Sequence, residues 1–168
     1  MGTAWGEIAI GAAVQVYPGG AVIGQAPTVS TSVYGAKDAV GGLLTFASAA
    51  RIANGKGIVN SLTIIDDDNE AAGLELWLYD RVFTATADQA AFDPTDADNE
   101  NLVGVVPVST ADYYAAADNA VACVRGIGLE YACASAGTTL YGQLKCTGTP
   151  TYTATTDISI KLAVEYIS

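Results

Sequence analysis

The chain has 168 residues, a length that suits one domain, and its 51% apolar and 15% charged composition supplies a packed core rather than a solvated disordered coil. Seven basic against 18 acidic residues leave a net charge of −11, which repels phosphate backbones, so no nucleic-acid partner is expected. Histidine is absent, which removes the commonest general base, the Ser-His-Asp and Cys-His arrangements, and every zinc site that needs an imidazole.

Residues 1–28 are rich in Gly, Ala and Val, with Trp5 and Tyr17 as their aromatics, and show neither a sustained period nor a helix cap. They read as an extended arm, with a short strand at Val14–Tyr17, ahead of a domain over 29–168. The first charge, Glu7, is acidic, and the apolar stretch Ile8–Ile23 is broken by Pro18-Gly19-Gly20. Neither a secretory signal nor a membrane span is therefore expected.

From residue 29 the period is two, bounded by turn residues, which predicts strands. Val29–Tyr34 is the first, Leu43–Ile52 the second and Ile58–Asp66 the third, with Asn54-Gly55-Lys56-Gly57 between the last two as a hairpin signal. In the next strand Leu74, Leu76 and Leu78 point one way and Glu75, Trp77 and Tyr79 the other. Residues 84–101 turn to Thr, Ala, Asp and Asn. There Asp93 as N-cap and Pro94 at the first position predict a short helix over 94–101. Strands resume at Leu102–Ser109, Ala120–Glu130, Thr138–Thr147 and Asp157–Ile167. The last is the clearest: Ile158, Ile160, Leu162, Val164 and Tyr166 alternate with Ser159, Lys161, Ala163 and Glu165. One wet and one buried face is the mark of antiparallel sheets. The expected fold is all-β: an antiparallel two-sheet sandwich of jelly-roll or Greek-key type, with an extended N-terminal arm and one short helix.

Cys123, Cys133 and Cys146 are odd in number and lack C-x-x-C spacing, so they read as buried apolar side chains of a protein made in a reducing cytoplasm. A Cys123–Cys133 bridge between paired strands is the alternative.

Several stretches resemble a family of small virion structural proteins of tailed bacteriophages. They are Gly41-Gly42-Leu43-Leu44-Thr45-Phe46, Ser61-Leu62-Thr63-Ile64-Ile65-Asp66, Ala90-Ala91-Phe92 before the Asp93–Asp98 acids, Val103-Gly104-Val105-Val106, Gly126-Ile127-Gly128-Leu129, Leu140-Tyr141-Gly142-Gln143-Leu144 and Gly148-Thr149-Pro150-Thr151-Tyr152-Thr153. The likeness runs in order and spacing over about residues 35–167. It implies a non-enzymatic capsid decoration or cement protein, made in the host cytoplasm and located in the virion. The implied partner is the major capsid protein or another virion protein; further copies of itself, as a dimer or trimer, are expected because oligomers are usually cyclic. No catalytic residue, cofactor or membrane partner is implied. The alternatives are a tail, baseplate or fibre-associated structural protein and a glycan-binding sandwich module.

The candidate interface residues are Trp5, Tyr17, Trp77, Tyr79, Tyr113 and Tyr114, because aromatics combine large apolar area with a polar handle. For Trp77 and Tyr79 a carbohydrate platform is the second reading, and cover by another layer of the same chain, such as the arm, the third. The acidic run Asp66-Asp67-Asp68-Asn69-Glu70 has Ala71 and Trp77 where a calcium loop needs Gly and Glu, so it reads as a solvated turn. In the second acidic cluster, Asp93, Asp96, Asp98 and Glu100, capping and helix-dipole roles account for Asp93 and Asp96. No metal is expected at either cluster.

Overall fold

The computed structural model describes residues 19–134 and 136–167, and these form nine strands, one turn of α-helix and one 3-10 turn. One sheet contains β1 (Gly20–Gln25), β3 (Lys56–Asp66), β6 (Tyr113–Ala115), β7 (Ala120–Ala132) and β9 (Ile158–Tyr166), in the order β1-β9-β3-β7-β6. The other contains β2 (Ala39–Phe46), β4 (Leu74–Tyr79), β5 (Leu102–Val108) and β8 (Leu140–Cys146), in the order β2-β8-β4-β5. All pairings are antiparallel.

The pairings are nested. β1 lies against β9, β2 against β8, β3 against β7 and β4 against β5. One long hairpin, rolled so that its successive rungs fall on alternate sheets, gives this order, and it is the jelly roll. β6, only three residues long, is an addition at one edge.

Alternation explains the core. Leu62 and Ile64 of β3 and Ile158, Ile160, Leu162 and Val164 of β9 face inward, against Leu74, Leu76 and Leu78 of β4 and Leu140 and Leu144 of β8. Each such side chain, taken fully out of water, contributes about 1.5–3 kcal/mol.

Local expectations fail where pairing is decided at long range. Asn54-Gly55-Lys56-Gly57 makes no hairpin, because β2 and β3 belong to different sheets and the 47–55 segment turns the corner between them. The turn is present, with Gly55 N donating to Ile52 O at 3.0 Å, and Tyr131 and Tyr166 tie the corner down through their hydroxyls to Ala49 O and Ser48 O. Val29–Tyr34 is no strand. Its ends bond singly to the 150–155 loop, Val29 N to Thr155 O and Tyr34 N to Pro150 O, while both side chains are buried.

The boundary expected at residue 29 moves back, because Gly20–Gln25 pairs in register with Ile160–Glu165. The expected strand at Val14–Tyr17 lies outside the described residues. The helix, α1, spans Asp96–Asn99, and its N-cap is Thr95 rather than Asp93: the Thr95 hydroxyl accepts from Asp98 N at 3.1 Å. Asp93 N is instead donated to Thr86 Oγ1. All three cysteines are free; Cys133 and Cys146 are buried and Cys123 is half-buried.

Candidate interaction surface

Each sheet has an outer face, and the two differ. On the four-stranded sheet, residues 80–93 cross over β4 and β8. Gln143, buried on β8, holds them: its Oε1 accepts from Thr86 N (3.0 Å), and its Nε2 donates to Thr86 O (2.6 Å) and Gly41 O (2.9 Å). Asp88 Oδ1 accepts from the Tyr34 hydroxyl and from Gly41 N, both at 2.7 Å. Phe83 stacks on Tyr79 with ring centroids 4.0 Å apart, and Phe92 lies 5.0 Å from Trp77.

Tyr79 therefore offers no surface. It is fully buried, its hydroxyl has no hydrogen-bond partner among the described residues, and burial pushes its pKa up to about 12, with Asp98 adding to the rise. Trp77 is half-buried. Its indole N–H donates to Glu75 Oε2 at 3.0 Å, where Lys145 Nζ also donates at 2.8 Å, and Lys145 sits 5.8 Å from the ring. Burial alone would raise the Glu75 pKa, but the bonds from Lys145 and Trp77 outweigh it and hold the carboxyl below its usual range. With Phe92 against one side and Lys145 near the ring, Trp77 is no open sugar platform. The layer that covers both aromatics is the 80–93 segment.

On the five-stranded sheet nothing crosses among the described residues. Strand register sets Tyr114, Val121, Ile65 and Ser159 in one row, Cys123, Thr63 and Lys161 in the next, and Arg125, Ser61, Ala163 and Val22 in a third. None of these residues is buried; Tyr114 is 73% and Val22 69% exposed. The charges within these rows, Lys161 and Arg125, are both positive on a chain of net −11. Tyr113, beside Tyr114, points the other way: it is half-buried, its hydroxyl has no partner among the described residues, and burial and nearby Asp66 raise its pKa. Tyr114 and not Tyr113 belongs to the open face. Trp5 and Tyr17 lie outside the described residues.

The acidic run is not simply solvated. Asp66 is buried and accepts from Ala71 N (2.8 Å) and Asp68 N (3.1 Å), Asp68 accepts from Thr153 N (2.9 Å) and its hydroxyl (3.0 Å), and Glu70 accepts from Thr151 N (3.0 Å). Asp66 thus closes its own turn, while Asp68 and Glu70 fasten the 150–157 loop. Among the described residues no three acids or cysteines converge as metal ligands.

Comparison with known proteins finds no matching family model and no matching curated protein. Among solved structures, a chain of Desmodium yellow mottle tymovirus aligns over 91% of this chain and 83% of its own, with 11% identity and a TM-score of 0.29. That likeness is too loose to bear on function. The jelly-roll assignment rests on strand order alone.

Proposed function

We propose that this protein is a structural component of a tailed-phage particle, a decoration or cement protein that attaches to the major capsid protein lattice, and that it has no catalytic role. The sequence resemblance over residues 35–167 suggests the setting, and the open face of the five-stranded sheet is the observation that carries the mechanism. An uncovered face on which Ser61, Thr63, Ser159 and Ala163 stand beside Lys161 and Arg125, with Tyr114 and Val22 exposed, suits a surface laid against another surface. Fold alone cannot choose, since jelly rolls serve both capsid and lectin domains. The cover over Tyr79 and Trp77 weighs against glycan binding there. Attachment at several copies around a symmetry axis would convert weak single contacts into firm holding. Lys161 and Arg125 would meet acidic partners, while the net −11 keeps free copies apart until they assemble.

The test is cryo-electron microscopy of purified particles before and after high salt or mild heat strips the protein. Density lost at regular positions on the shell, with particles that then burst more readily, is the expected result. Density lost from the tail alone would move the protein there, and its absence from every particle would overturn the virion reading.

A further inference from the structure

The edge of β7 is open along most of its length. β7 has 13 residues, yet β6 covers only Ala120–Ala122, and among the described strands none pairs with the rest of that edge. Opposite it lies β5, the edge of the other sheet, where Pro107 has no N–H to offer. Between the two edges runs a groove of about 400 Å³, lined by Val105 and Pro107 of β5 and by Val124, Ile127 and Leu129 of β7. Its single charged lining residue is Arg125.

The floor of the groove is shaped for close approach of a backbone. Between Arg125 and Leu129, which pair with Ser61 and Val59, β7 bulges outward. Gly126 and Gly128 both have φ +67°, and a Cβ on either would meet nothing within 4 Å. An apolar trough with bare main chain along one wall and an unpaired strand edge is a receptor for an extended segment that adds to a sheet.

We infer that the groove between β5 and β7 is the seat for residues 1–18 of a second copy of this chain. That segment is apolar and rich in small residues, and its lone acidic side chain, Glu7, complements Arg125. At about 3.3 Å per residue its 18 residues reach as far as about 60 Å, ample to cross to a neighbour and lie along β7. Gly19 O accepts from Tyr166 N at the β1 edge of the sheet, and the groove of the same copy lies at the opposite side, across three strand spacings, about 14 Å away. Passing an arm from each copy to the next closes a ring when the rotation allows.

The test uses the full isolated chain, with no particle present, so its failure and that of the virion reading are separate results. Sedimentation equilibrium and amide hydrogen exchange are followed against protein concentration for the wild type, for Ile8→Asp with Ile10→Asp in the arm, and for Arg125→Glu. Arg125 is exposed, so that variant alters the groove without touching the core. The expected result is concentration-dependent association of the wild type, exchange at residues 124–129 slowed at least about tenfold as it associates, and loss of both in each variant. Slow exchange at 124–129 that ignores concentration but is lost in the arm variant would put the arm in its own groove and overturn the exchange between copies. Association that protects Tyr114 and Val22 instead, or a monomer with freely exchanging 124–129, would also overturn it.

Discussion

The two outer faces of the sandwich are made by the same alternating pattern and end in opposite states. On β4 and β8 the outward residues are large or polar, namely Trp77, Tyr79, Tyr141 and Gln143, and the chain spends residues 80–93 covering them. On β3 and β9 the small Ser61, Thr63, Ser159 and Ala163 stand beside Ile65 and Lys161, without an aromatic among them, and nothing in the described chain covers them. An aromatic face is costly to leave wet in a free monomer, whereas a face of small side chains is not. The aromatics on β4 thus found cover within the molecule, and the opposite face, uncovered in the described chain, remains available to a partner.

Substitutions on the two faces should separate stability from attachment. Phe83→Ala uncovers Tyr79 and should have the largest effect, about 3 kcal/mol lost in urea unfolding, because the buried ring is removed and Tyr79 loses its stacking partner. Gln143→Ala comes next at about 2 kcal/mol, since Thr86 and Gly41 lose their bonding partner; exchange at residues 83–92 should quicken well before global unfolding does.

A smaller effect is pH-dependent. The Glu75 carboxyl titrates below its usual range in the folded protein, so the stabilisation is full above the ordinary glutamate range and is lost as pH falls through the depressed value. Comparing urea midpoints between about pH 6 and pH 3 should show Glu75→Gln losing less stability than wild type by roughly 0.5 kcal/mol, the scale of a partly exposed ion pair. Smallest of all is the open face. Tyr114→Ser or Thr63→Ala should change stability by less than about 0.5 kcal/mol, while Tyr114→Ser weakens attachment to the particle. If Tyr114→Ser destabilises as much as Phe83→Ala, the contrast between the faces fails.

Much of this architecture was legible in single strands. The alternation over 158–166 and the Leu74-Leu76-Leu78 stripe gave direction correctly because period two is a local property. Cover is not local. Nothing in a strand records whether its outward side stays wet, and the segment that buries Tyr79 carries Phe83 and Phe92 in a run without any period. The corner at Asn54–Gly57 misled for a related reason: the same turn chemistry serves a hairpin and a change of sheet, and only pairing with β7, β8 and β9 distinguishes them. Two glycines flanking Ile127 within a strand were a fair sign of a bulge. The groove beside it needed β5, a neighbour about twenty positions earlier in the chain.

β9 lies between β1 and β3, and β1 pairs with no other described strand. β1 thus waits for β9, and closing that loop of well over a hundred residues is entropically slow. Until β9 arrives, β3 shows a long apolar edge and β1 has no sheet to join. The five-stranded sheet is therefore completed only once β9 is in place. Loss of β9 would leave an open sheet that aggregates rather than a shortened, working protein.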